Sequence, residues 1–264
     1  MRQRTGIEWT DTTWNPATGC TKISAGCDHC YAHTLAHGRL TDVYSRRLPV
    51  IQTPANVADP FAVRLWPERL AEPARWRDPR IVFVNSMSDL FHADIPDEFV
   101  RQVFEVMLEV DQHVYQVLTK RPSRALRFFS RNQDLFPAGE IPPHIWMGTS
   151  VEDQAVAYRV DHVRQVPAAI RFLSCEPLLG PLDLDLDGIH WVIAGGESGI
   201  GYRKMEAKWA TGVRDQCTAA GVAFFFKQWG GRTPKSGGRL LEGRTWDEMP
   251  LPDRAPADLF ASVG

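Results

Sequence analysis

The 264-residue sequence is short of cysteine, with five in all, and it lacks long apolar runs. An odd and small number of cysteines fits poorly with a disulfide framework, so a hydrophobic core has to hold the fold. No stretch approaches the roughly 18 consecutive apolar residues of a membrane helix. The opening MRQRTGIEWTDTTW carries no apolar block, so no secretory leader is expected. These absences predict a soluble, cytoplasmic chain with reduced thiols and no membrane partner. Charge of one sign is also lacking. The net charge of −2 argues against a broad basic surface for nucleic acid, though not against a local groove. Low-complexity tracts are absent too.

What is present suits one large core: 44% of the residues are apolar and 23% charged. From residue 80 onward, short apolar runs end in polar residues, and helix-like stretches usually follow. The runs are IVFVNSMSD (81–89), HVYQVLTKR (113–121), IWMGTSVED (145–153), IRFLSCEP (170–177), HWVIAGGESG (190–199) and VAFFFKQWG (222–230). Runs apolar on both faces fit buried parallel strands. A weaker strand is expected at 12–19. One helix is expected over 96–110, opened by Pro96 and burying Phe99, Val103, Met107 and Val110. Another is expected over 205–221, with Trp209, Val213 and Cys217 on one side and Gly221 as its stop. Shorter helices are expected at 31–39, 122–131 and 152–165.

Strands alternating with helices imply right-handed βαβ units. The expected fold class is α/β: a full or partial parallel (β/α) barrel of six to seven strands, TIM-barrel-like. An open doubly wound sheet is the runner-up. Residues 1–230 would form this single domain, with a cysteine loop at 19–31 and a Pro-rich, mouth-covering insertion at 40–79. Residues 231–264 would be a peripheral C-terminal extension. The crossover LLGPLDLDLDG is too broken by Pro and Gly for a long helix.

In parallel α/β folds the active site lies at the C-terminal strand ends. Here those ends carry Ser86, Ser88 and Asp89; Thr119 and Lys120; Thr149, Ser150, Glu152 and Asp153; Cys175 and Glu176; Glu197 and Ser198; Lys227 and Gln228. One polar end means nothing, because every strand leaves the core somewhere. Six in a row point to one shared cleft. Lys120 and Lys227 are candidates for a phosphate or carboxylate, or are solvated charges. Cys175 reads either as a reactive thiol or as a small buried hydrophobe.

Three of the five cysteines crowd into GCTKISAGCDHCYAHTLAHGR, at Cys20, Cys27 and Cys30. Three clustered thiols in a reducing setting suggest a metal. Structural zinc closes its shell with a fourth Cys or His, and His29, His33 and His37 stand nearby. The alternative is an iron–sulfur cluster with three cysteine ligands and one open iron. The spacing leaves both open.

The pattern C-x6-C-x2-C-Y after a first strand resembles the radical S-adenosylmethionine (SAM) superfamily, with the first gap stretched from three residues to six. NSMSD (85–89) and LTK (118–120) are similar to its spore photoproduct lyase branch. Residues 5–230 also resemble a phage-associated family with a GC…S.GC..CYA signature. The resemblance implies a [4Fe-4S] cluster on Cys20, Cys27 and Cys30, with SAM on the fourth iron. Tyr31 would take the aromatic position beside the cofactor. Ser88 and Asp89 would hold the SAM amino group, and Glu152 or Glu197 the ribose hydroxyls. Lys120 would meet a substrate or SAM carboxylate, and Cys175 would donate a hydrogen atom. The implied chemistry is hydrogen abstraction by a 5′-deoxyadenosyl radical. Its implied partners are a reductant such as flavodoxin or ferredoxin, and a nucleic acid or nucleotide substrate. One departure matters: the superfamily's Gly-Gly-Glu segment after the second strand is absent, so Asn85–Asp89 would have to substitute. Two other readings compete. One is a zinc-stabilised nucleic-acid-binding or phage accessory module without catalysis. The other is a metal-free barrel enzyme for a phosphorylated metabolite.

Overall fold

The structure, a computed structural model, describes residues 5–250. Seven strands form one parallel sheet in the order β1 (Thr12–Trp14), β4 (Ile81–Val84), β5 (Val114–Thr119), β6 (Ile145–Ser150), β7 (Arg171–Cys175), β8 (Trp191–Gly195) and β9 (Ala223–Gln228). Each strand after β1 adds to the same growing edge, as successive right-handed crossovers require. A two-stranded ribbon, β2 (Ala17–Thr18) with β3 (Arg64–Leu65), stands apart. The segment expected as one strand at 12–19 is therefore two, in different sheets. Pro16 separates them, and it has no N–H to give to a ladder.

The sheet curls into a partial barrel. β1 and β8 are five strand steps apart, about 24 Å along a flat sheet. Yet Trp9, just before β1, has its ring 6.2 Å from that of Trp191 in β8. The concave side is filled by Trp9, Phe83, Trp146, Phe172, Trp191 and Phe225, packed edge-on or tilted. This aromatic floor closes the interior below the C-terminal strand ends.

Helices cover the convex side. α4 (Asp97–Glu109), α5 (Pro122–Arg131), α6 (Arg159–Arg164) and α7 (Ala207–Ala220) carry four of the crossovers. α4 begins where expected, with Pro96 as cap and Asp97 and Glu98 in its first turn, where acids suit the helix dipole. It buries Phe99, Val100, Val103, Phe104 and Met107. α7 ends on Gly221 at φ +66°, the left-handed stop. The helix expected at 152–165 is split into a 3-10 turn, Gln154–Val156, and the short α6. Between β7 and β8 the chain stays irregular, as its Pro and Gly suggested; Leu182, Leu184 and Leu186 are buried at every second position.

The insertion carries α2 (Thr41–Tyr44), α3 (Pro54–Ala58) and β3, after α1 (Tyr31–Ala36). Tyr44, Phe61 and Trp66 pack with Ala32, Ala36 and Met87 in a small cluster that Cys20 and Cys30 touch. Of the C-terminal stretch, Trp246 and Glu248 bond along β9: Phe226 N donates to Trp246 O and Glu248 N to Phe224 O. The rest of the expected extension, 251–264, lies outside the described residues. No helix among the described residues is long and apolar enough to cross a membrane.

Candidate functional site

The loop from Gly19 to Cys30 lies across the C-terminal ends of the strands. Gly19 starts it at φ +88°, pressed so close to the insertion that a Cβ would stand 2.2 Å from Ala62 O. Cys20 N then donates to Phe61 O. A 3-10 turn, Ala25–Cys27, follows, and Cys30 caps α1. All three thiols are free and partly buried. Burial, with Asp89 nearby, pushes the Cys20 thiol up to about 11, against the pull of Arg121.

Side chains from four strand ends tie this loop down. After β4, Ser86 O accepts from the Tyr31 hydroxyl, and Ser88 Oγ donates to Ala17 O at 3.0 Å. After β5, Arg121 Nη1 lies 3.6 Å from Cys20 Sγ. After β6, the fully buried Glu152 accepts from Ser24 Oγ at 3.0 Å, from Lys120 Nζ at 2.8 Å and from Arg159 Nη1 at 2.9 Å. Gly26 rests directly on it: a Cβ there would fall 2.4 Å from Glu152 Cγ. Burial opposes the Glu152 charge, but Lys120 and Arg159 outweigh it and hold the carboxyl below the usual range. After β8, Glu197 sits 2.9 Å from His29 Nδ1 and is gripped by the Arg203 backbone and guanidinium. Burial again opposes the charge, and the Arg203 and His29 bonds prevail and lower the carboxyl. Glu176, after β7, and Lys227, near the end of β9, pair with each other at 3.1 Å.

The structure thus brings Cys20, Cys27, Cys30, Tyr31, Ser88, Asp89, Lys120, Glu152 and Glu197 into one region. Their contacts differ from the roles the resemblance implies. Glu152 and Glu197 are anchors of the cysteine loop, engaged by protein donors. Both oxygens of Asp89 each accept two bonds, from Thr119, Phe91, Lys120 and Arg121. A carboxylate has about four acceptor sites, so none is left for an ammonium group. Cys175 is placed elsewhere. Alternation along β7 turns Phe172 into the barrel and Leu173 and Cys175 outward, into the cluster with Val213 and Cys217. Burial raises its thiol well above the ordinary value, and the side chain does not face the mouth.

Asn85 entered the sequence reading only as the first residue of the Asn85–Asp89 segment, with no role of its own. It directly follows β4 at φ +59°, is 2% exposed, and has neither side-chain Oδ1 nor Nδ2 bonded. A buried amide without partners costs free energy, and such groups mark strain or a binding role. It lies in the turn whose Ser86 and Met87 carbonyls bond the cysteine loop at Tyr31 and Gly19.

Cys20, Cys27 and Cys30 are the donor type that an iron–sulfur cluster with one open iron would take. No three His, Cys, Asp or Glu side chains among the described residues gather around a single ion. Zinc wants four ligands, thiolates at about 2.3 Å. His29 is turned to Glu197, and His33 and His37 stack on each other, with His37 against Asp59. A cluster gives each thiolate its own iron and asks for no fourth side chain.

A family model described as "Protein of unknown function (DUF5131)" matches residues 4–250. The chain belongs to the DUF5131 family. No curated protein matches this DUF5131 chain. A solved structure, "Spore photoproduct lyase complexed with dinucleoside spore photoproduct", is similar to it at 13% identity and a TM-score of 0.42. The similarity covers 70% of this chain, which spans 55% of that one.

Proposed function

We propose that this protein is a radical SAM-type iron–sulfur enzyme that abstracts hydrogen from a nucleotide or nucleic acid. The observation that carries the reading is the set of three free, partly buried thiols on a loop clamped over the C-terminal mouth of a partial barrel. The C-x6-C-x2-C-Y resemblance supports the same reading. Cys20, Cys27 and Cys30 would hold a [4Fe-4S] cluster. When bound, such a cluster delivers one electron to SAM and releases a 5′-deoxyadenosyl radical.

The chain's own residues bind, orient and exclude water. The orphaned Asn85 amide offers a donor and an acceptor to the amino acid end of SAM. Ser88, already tied to Ala17, steadies that turn. Lys120 keeps Glu152 charged while its ammonium stays partly open to an anionic group. The aromatic floor keeps the base of the mouth dry. Around the rim, Tyr31 and Tyr202 expose their rings at 52% and 42%, and Lys22 and Lys204 are exposed. Exposed rings beside cations suit a nucleobase and its phosphate. A reductant such as flavodoxin or ferredoxin would supply the electron.

The test is anaerobic reconstitution of the full chain with iron and sulfide. The expected product is brown, absorbs near ~400 nm and bleaches with dithionite, and it cleaves SAM to 5′-deoxyadenosine. Changing Cys20, Cys27 and Cys30 to alanine should abolish all of this. Stoichiometric zinc under the same conditions would instead establish the zinc-stabilised module.

A further inference from the structure

We propose that Arg121 is a positioning residue that aims one N–H at Cys20 Sγ and thereby raises the reduction potential of the group on the three thiolates. The inference rests on the iron–sulfur reading above and concerns what this chain adds to it. Arg121 Nη1 is 3.6 Å from Cys20 Sγ and 2.9 Å from Asp89 Oδ2. Its Nη2 donates to Thr21 O at 3.1 Å and to Thr21 Oγ1 at 3.2 Å. Three of these four contacts do not involve the sulfur. The guanidinium therefore stays in place whatever Cys20 binds.

Its anchor is rigid in turn. Asp89 is 6% exposed, and its Oδ1 takes the Thr119 hydroxyl at 2.7 Å and Phe91 N at 3.0 Å, while Oδ2 takes Lys120 N at 3.0 Å beside Arg121. A planar fork reaches a carboxylate, a carbonyl and a sulfur from two nitrogens in one fixed plane, a geometry that the compact ammonium of lysine does not copy. Of the three thiols, Cys20 is the one that faces a cationic donor among the described residues; Cys27 faces the Ser24 hydroxyl at 3.8 Å.

Hydrogen bonds to cysteine sulfurs tune cluster potentials, and a neighbouring positive charge favours the reduced, more negative state. Because a guanidinium does not lose its proton, the effect should persist across pH. Asp89, which the resemblance placed near SAM, gains a defined task here: with Thr119 it sets the angle of Arg121.

The experiment is an anaerobic redox titration of the reconstituted full-length protein, followed by electron paramagnetic resonance, for the parent chain, Arg121→Gln and Arg121→Lys. Iron and sulfide per chain and circular dichroism are measured alongside. Arg121→Gln is expected to keep its iron and sulfide and to shift the midpoint negative. At a fixed potential its reduced-to-oxidised ratio should fall at least tenfold, ~59 mV for one electron. Arg121→Lys should shift in the same direction by less. If Arg121→Gln fails to fold or load, Arg121→Lys decides. Midpoints equal to the parent's in the loaded variants overturn this inference and leave the iron–sulfur reading standing. A parent chain that takes up no iron and sulfide overturns both.

Discussion

Asn85 shows what a single residue contributes when its environment withholds partners. Its left-handed backbone is one that Asn and Gly tolerate, so Asn85→Gly keeps the turn and removes two unbonded polar atoms. Relieving a buried unsatisfied group is worth about 1–3 kcal/mol, against about 0.5–1 kcal/mol for glycine's extra unfolded-state freedom. Urea unfolding should therefore show unchanged or higher stability. Isothermal titration of the iron-loaded protein should show SAM binding about tenfold weaker, the loss of one hydrogen bond to a charged group. Gly26 is the opposite case. Gly26→Ala drives a methyl group into Glu152 and should cost about 1–3 kcal/mol by the same unfolding assay. At this scale the sequence revealed the thiols, because their spacing is local. Arg121 and Cys20 are 101 positions apart, and His29 and Glu197 are 168 apart. No local pattern announces partners at such separations, which is why Glu152 and Glu197 read as free ligand-binding acids.

The cysteine loop behaves as an element although it has little regular structure. Its hold on the barrel is a ring of polar bonds from separate strands, so loosening one bond should free part of the loop and leave the core intact. Glu197→Gln weakens the grip on His29 and Arg203. The expected result is faster reaction of Cys27 and Cys30 with an aromatic disulfide reagent, followed by mass spectrometry, while the buried Cys175 and Cys217 stay silent. The acid dependence follows from the same pairs. Glu152 and Glu197 titrate below the ordinary Glu value of about 4.3, so their stabilisation is complete above it. It is lost as pH falls through the lower folded values, because the unfolded chain then binds more protons. Urea midpoints should drop below about pH 4, and less steeply in Glu197→Gln. Strands were readable as elements because both faces are apolar, as in Ile81–Val84. Pro16 and the 3-10 turn at Gln154–Val156 broke segments whose composition looked continuous.

For the whole molecule the decisive feature is the curl that brings Trp9 against Trp191. Periodicity gives strands and their order, but closure depends on how large side chains meet across the interior. Hence full barrel and partial barrel looked alike in the sequence. Trp191→Ala would open a hole among four aromatic neighbours and should cost about 3–5 kcal/mol in chemical denaturation. An unclosed sheet also has two margins. Along β9 the chain doubles back, and Phe226 N and Phe224 O find bonds with Trp246 O and Glu248 N of the returning segment. Trp191 Nε1 donates to Glu248 O at 2.8 Å, which fastens that segment to the next strand as well. Exposed margins of β-structure recruit other chains. A version of the protein cut short before Trp246 should consequently stick to its own kind, and light scattering would register the growing particles while helical content stays constant.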